Sequence, residues 1–368
     1  MQLRKLTRSL ARPAGVTVAA SLLMAGVAVA GEPFGQPFRQ PDRPVLIMTS
    51  TNAPGANQVL VYQLETGSTS ALALVQTLRT GGAGGAASGG VAGILQMKDD
   101  FGAVANYGSN SVSELVRDGD FIQVSRQIKL ASGCLKPGSV ALTDEQLFVV
   151  GANCVESHAW PSGSLDGAVV RLSDTSAAQV AVGKTWGAVT FTSGAVEQVG
   201  LTGYGALSGS VAPVSLPSDA NAAPLGEAFW GDILGFTPAH SPDSFAIVDE
   251  QRNVYPIVGP TPPYPTNAPC WVAKGPGNVW YTGNSPGHAI SIFFSDGKGG
   301  VFYKSVALPG VATDITVSKD RKWLAVIYAA NGGGYVAVFA IDRHGDLTPE
   351  ATSGLIGVST FSGVAISE

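Results

Sequence analysis

Charge is scarce in this 368-residue chain, where only 13% of residues are Asp, Glu, Lys or Arg. Beyond the first residues no cluster of Lys and Arg occurs, so the patch that would hold nucleic acid or an anionic bilayer is missing. Helix periodicity is missing too: no stretch of about 12 residues repeats its apolar positions at 3.6. Four His and three Cys are too few and too scattered for the spacing of a zinc site. After the N-terminus no apolar run is long enough to cross a bilayer as a helix.

What is present begins with a leader. Arg4, Lys5, Arg8 and Arg12 precede any acid, an apolar run extends from Gly15 to Val29, and Ala28-Val29-Ala30 follows as an A-x-A site. A basic region, an apolar core and small residues at the end make a secretory signal, with cleavage expected after Ala30. The run is short for an uncleaved anchor, and no Cys follows it for lipid attachment. The expected mature chain, 31–368, is secreted or periplasmic and keeps 18 of the 22 basic residues against 27 acidic ones.

Gly is abundant, with 47 residues, and short β-branched or aromatic runs alternate with Gly, Asn, Asp and Pro. Val45–Met48, Val59–Tyr62, Leu147–Val150 and Tyr335–Phe339 are examples. The chain reads as all-β. Its strands form sets beginning near Val91, Gly138, Trp271 and Ala312, with weaker sets at Trp186 and Trp230. Starts roughly 40–50 residues apart match a four-stranded propeller blade. A seventh set is split. Phe361–Glu368 reads as an inner strand with no blade behind it, and Val45–Leu78 as outer strands with no inner one. Joining them gives one seven-bladed β-propeller closed by the C-terminal strand, over residues 31–368, with no exposed sheet edges.

Cys134 and Cys154 lie symmetrically about the turn at Asp144, so an antiparallel hairpin sets them opposite each other and predicts a disulfide in an exported protein. Cys270 is left as a buried thiol. Gly81–Gly93 and Pro260–Pro269 read as a flexible and a stiff connector.

Second strands that end in Asn before a small turn, at Asn52, Asn106, Asn153, Asn284 and Asn331, resemble the blades of lactonase-type seven-bladed propellers. So do the turn Ile341–Pro349 and the run Ala268–Ala273. This is the group around cycloisomerase-type 6-phosphogluconolactonase and carboxymuconate cyclase. The resemblance covers nearly all of 31–368 and implies hydrolysis of a small sugar-type or muconate-type lactone. It supplies no catalytic residue position by position, since no His stands beside a Gly-Pro-Arg motif.

Candidate site residues follow from where propeller loops meet the channel. Trp186, Trp230 and Trp271 are read at the starts of three consecutive inner strands, either as an aromatic wall for a sugar or planar ligand or as wedges between blades. Asn106, Asn153 and Asn284 are read as amides around a ligand or as turn caps. Glu156, His158, Glu227, Asp232, Glu250, His288 and Asp314 are the titratable groups expected near that face. Hydrolysis needs a base for water and a group facing the oxyanion, and His288 with Asp314 or Glu250 are the candidates for the base. Gly283–Gly287 matches G-x-S-x-G, but a strand follows it, so it reads as a loop. Gly183-Lys184-Thr185 lacks the earlier Gly of a phosphate loop. No cofactor is implied; scattered carboxylates leave a divalent cation in the channel as an alternative. The expected partner is a lactone or glycan bound to a monomer. A non-catalytic propeller binding a glycan or a protein is the second reading.

Overall fold

A computed structural model describes residues 43–67, 70–85, 94–240, 244–259, 268–358 and 360–368. The expected leader at 1–30 and most of the Gly-rich and Pro-rich connectors lie outside the described residues.

Strands dominate, and the helical content among the described residues is one turn of 3-10 helix, Tyr107–Ser109. The strands form five four-stranded sheets and one eight-stranded sheet. The eight-stranded sheet is two antiparallel sets of four joined through one parallel bridge, Gly167 to Leu207. Each set of four starts with a short inner strand and meanders outward. The inner strands are Leu95–Lys98, Ser139–Leu142, Ala177–Val182, Pro224–Trp230, Pro269–Lys274, Val311–Val317 and Ser362–Ser367. They pack one against the next in that order, and Ser362–Ser367 packs against Leu95–Lys98, so the cycle closes. Ser362–Ser367 also pairs antiparallel with Val45–Ser50 and is the inner strand of the N-terminal sheet. The arrangement is a β-propeller.

The residue pattern explains which strands lie where. Pro269–Lys274 and Val279–Asn284 are buried at every position, because both faces of each sheet are covered by a neighbouring sheet. Their sequences, PCWVAK and VWYTGN, therefore show no alternation. The outermost strand Phe121–Lys129 buries only Ile122 and Ile128. Between sheets the core is aromatic and branched: Phe245, Trp280 and Phe293 share one cluster, and Phe148, Val189 and Phe191 another. Each such side chain contributes roughly 1.5–3 kcal/mol on burial.

Cys134 and Cys154 are disulfide-bonded, with Cα atoms 5.6 Å apart. The bond ties the loop before Ser139–Leu142 to the start of the third strand, Cys154–Ala159. Cys270 is a buried free thiol whose Sγ donates to the Ala268 carbonyl, and burial pushes its pKa up. Closing a loop of this length (a separation of 20 residues) removes about 3 kcal/mol of unfolded-chain entropy. Replacing both Cys134 and Cys154 with Ser is expected to lower unfolding stability by about 3 kcal/mol in urea titrations. An unchanged midpoint would mean that the bond adds nothing to the fold.

Two set boundaries differ from those read in the sequence. Trp186 opens a second strand, Trp186–Phe191, and Trp230 ends an inner strand rather than starting one. The inner strands of those sets begin at Ala177 and Pro224. The displacement originates at Cys154–Ala159, a strand not read in the sequence, whose Glu156, Ser157 and His158 are buried. Glu156 Oε1 and His158 Nε2 are 2.9 Å apart, and Glu156 Oε2 accepts the Ala131 N–H. These partners let a polar triplet occupy a strand interior.

Candidate functional site

The channel bounded by the inner strands holds a cavity of about 250 Å³. Its wall includes Gln96, Gln179, Glu227, Lys274, Asp314, Thr316 and Arg321 among apolar neighbours such as Met97, Leu142, Val182 and Phe229. These residues come from the middles and C-terminal ends of the inner strands and the turns that follow. A wider groove of about 520 Å³ shares Leu142, Val182 and Phe229 with the cavity and adds Lys98, Glu145, Lys184 and Tyr204. The cavity therefore communicates with the end where inner strands finish, opposite the end that carries the Asn turns.

A repeated irregularity sets the polar residues of the wall. Register shifts fall between Ala177 and Gln179, Pro224 and Glu227, Pro269 and Trp271, and Ala312 and Asp314, with another opposite Thr49 and Ser50 where Gly363 is the extra residue. A bulge re-aims the side chain that follows it. Three of the following side chains stitch their sheet to the next one. The Gln179 amide accepts the Glu227 N–H at 2.8 Å and donates to the Glu227 carbonyl at 3.1 Å. Trp271 Nε1 donates to the Ala312 carbonyl at 2.9 Å. Asp314 Oδ2 accepts the Val364 N–H at 3.2 Å, and its Oδ1 accepts the Ile315 N–H at 2.8 Å.

Glu227 departs from this pattern. It is 2% exposed, and neither carboxyl oxygen has a partner at hydrogen-bond geometry. Burial raises its pKa well above the usual carboxylate range, and the nearby Ala181 and Thr190 backbone groups pull it only partly back. Lys274 is 6% exposed, and its ammonium donates to the carbonyls of Gly275, Gly277 and Val279 at 2.9, 2.6 and 3.1 Å. Burial and the neighbouring Arg321 lower its pKa to about 8. Three carbonyl acceptors and the faces of Trp230 and Trp280, at 4.8 and 5.3 Å, favour the charged form.

Of the three proposed catalytic residues, Asp314 lines the cavity. His288 is exposed on the turn between Val279–Asn284 and Ala289–Phe294, with φ of 48°. Glu250 is exposed on a turn between a third and an outer strand, at the other end of its sheet. Neither lies on the cavity wall, so the three do not form one constellation. The three tryptophans do not form a wall. Trp186 is 1% exposed, donates to the Asp232 carbonyl and carries Arg252 over its ring at 3.9 Å. Trp271 is 3% exposed between sheets. Trp230 is 41% exposed beside Lys274. Asp232 Oδ1 accepts the Thr185 N–H, which ties two turns together.

The asparagines are structural to different degrees. Asn106 Nδ2 donates to Ser113 and Asn284 Nδ2 to Ser291, each at 2.8 Å and seven residues ahead, locking the second and third strands of their sheets. Asn153 is half-buried in its turn. Ser285, in the G-x-S-x-G match, donates to the Ala312 carbonyl, and a strand follows. Among the described residues, no three His, Cys, Asp or Glu side chains gather closely enough to hold a metal ion. No described helix is long and apolar enough to cross a membrane.

Gln179, Lys274 and Arg321 escaped the sequence reading. For Gln179 a usable signal was there: Ala178-Gln179, like Gly226-Glu227 and Thr313-Asp314, places a small residue before a polar one, with apolar residues next.

Solved structures with this arrangement settle the architecture. A putative 6-phosphogluconolactonase from Bacteroides fragilis superposes with a TM-score of 0.63 over 89% of this chain and 99% of its own, at 11% identity. The chain shares its β-propeller fold with that structure. The periplasmic gluconolactonase of Pseudomonas aeruginosa matches with a TM-score of 0.63, 14% identity, and 88% and 98% coverage. An inactive variant of virginiamycin B lyase from Staphylococcus aureus, solved with quinupristin, matches at 0.54, 14% identity, and 72% and 84% coverage. No protein-family model matches the sequence, and no curated protein sequence matches it.

Proposed function

We propose that this chain is an exported, monomeric, seven-bladed propeller that hydrolyses a small sugar-type or muconate-type lactone in its channel. The observation that carries this reading is the cavity that gathers Asp314, Glu227, Lys274 and Arg321 from neighbouring sheets. Counting each half of the eight-stranded sheet as one blade gives the seven. Residues 1–30 act as the export signal, and 31–368 form one domain. The disulfide and the likeness to a periplasmic gluconolactonase support export.

In this reading Asp314 is the base. It takes a proton from water as the water oxygen bonds to the acyl carbon. The ring C–O bond then breaks, and the proton passes to the departing alkoxide. The two backbone N–H donors on Asp314 fix the direction of its carboxylate. Asp314→Asn is expected to lower acid release from a lactone panel by about 100-fold or more, the usual range for a positioned base, in a pH-stat assay. Folded wild-type protein that releases no acid above the spontaneous rate would remove the hydrolase reading.

The second reading is a non-catalytic channel that binds a glycan or a protein partner. It draws support from the internal use of the Lys274 donors and the Asp314 oxygens, which already stitch the fold.

A further inference from the structure

At the open end of the channel two cations lie side by side. Arg321 donates through one Nη to the carbonyl of Lys274, and burial lowers the pKa of both groups. Among the described residues, no acid lies within salt-bridge distance of either. The Lys274 ammonium is buried, where a charge without a counter-ion is costly, whereas the Arg321 side chain beside it is exposed. Of the other cations at this end, Lys98 pairs with Asp144 at 3.1 Å, Lys322 with Asp320 at 2.7 Å, and Lys319 with Asp99, whereas the exposed Lys184 has no acid within salt-bridge distance among the described residues.

Hydrogen-bond accounting separates the two roles. All three Lys274 donors are committed to carbonyls, so its ammonium cannot swing away and acts as a fixed positive charge. A guanidinium has five N–H donors. Arg321 commits one to Lys274, lines the cavity, and has no other described protein partner. The planar fork suits a carboxylate, and the charge behind it adds long-range attraction.

We propose that Arg321, backed by Lys274, is an anion subsite at the mouth of the channel, fitted to a carboxylate group of the bound molecule. The choice of carboxylate rests on the hydrolase reading above, because ring opening of a neutral lactone creates one within the same cavity. The subsite then holds the hydroxy-acid product, and the enzyme slows as product accumulates.

The test is calorimetric titration of the full chain with sodium gluconate, sodium acetate, inorganic phosphate and the neutral polyol sorbitol, with tryptophan fluorescence from Trp230 as a second readout. Gluconate is expected to bind saturably and sorbitol not at all. Arg321→Gln is expected to weaken gluconate by about tenfold or more, the loss of a charged hydrogen bond. Arg321→Lys recovers part of it, and added salt weakens it. Arg252→Gln, remote from the cavity, serves as the control and leaves binding unchanged. Equal affinity in Arg321→Gln, or indistinguishable gluconate and sorbitol, overturns the subsite. Phosphate binding tighter than both carboxylates through Arg321 overturns the carboxylate assignment. Gluconate binding through Arg321 in a protein that hydrolyses no lactone keeps the subsite and removes only the hydrolase reading.

Discussion

Glu227→Gln is expected to make the protein more stable at neutral pH and to flatten the dependence of its stability on pH. The wild-type carboxyl is sealed from solvent without a hydrogen-bond partner, so its ionised form is penalised in the fold. Its folded pKa lies above the ordinary value of 4.5, which means that between 4.5 and the raised value the native state holds a proton that the unfolded state has released. Stability from this group is therefore complete below about pH 4.5 and declines as pH rises from there. A neutral amide removes that decline. At pH 7 the gain is about 1–3 kcal/mol, its lower end set by the donors that Gln brings into a site without acceptors. Urea titrations of both proteins at pH 5 and pH 8 measure it. Parallel pH dependence in the two would mean that Glu227 is ionised in the fold and has found a partner.

The second large effect is expected one residue earlier. A Cβ placed on Gly226 would stand 2.6 Å from the Cys270 carbonyl oxygen, 2.6 Å from the Trp271 Cα and 2.8 Å from the Val272 nitrogen. All three are backbone atoms of the next inner strand, so no rotamer change relieves the contact. Gly226→Ala must push two sheets apart at the channel wall, at a cost of about 3 kcal/mol, the upper part of the overpacking range. Gly203→Ala meets nothing within 4 Å and serves as the matched control, with a change below about 0.5 kcal/mol. Thermal and urea unfolding of both variants would measure the difference. A small loss for Gly226→Ala would show that the sheets slide apart easily.

The propeller was legible because most of its strands are apolar runs bounded by turn residues. Val45–Ser50, Gln146–Gly151 and Trp323–Ala330 need no tertiary information to be found. The split set was legible for the same reason, since Ser362–Ser367 is an apolar strand with nothing following to complete a sheet. Strands that carry buried polar residues were not. Cys154–Ala159 hides behind Glu156 and His158, and Pro224–Trp230 behind Glu227. Missing them shifted Trp186 and Trp230 to the wrong strand ends.

The candidate site was less legible than the fold. Titratable residues on exposed turns, such as His288 and Glu250, carry the same letters as residues on a cavity wall. Only the bulge before Asp314 distinguishes it, and a bulge is a property of strand pairing. Arg321 was invisible for a related reason. It lies in the turn after Val311–Val317 with φ of 63° and meets Lys274 only because two inner strands are neighbours.

The pairing of Val45–Ser50 with Ser362–Ser367 imposes an order of events on the ribosome. Thr49 Oγ1 donates to the Gly363 carbonyl at 2.8 Å, between positions 314 apart in the chain. The first sheet to emerge stays incomplete, with one strand edge unsatisfied, while every other sheet can assemble from contiguous chain as it appears. Nascent chains stalled before residue 362 therefore expose a ready template for a foreign strand. Export in an unfolded form would postpone the whole exercise until the closing strand has crossed, so that both ends of the circle arrive in the same compartment before either is needed.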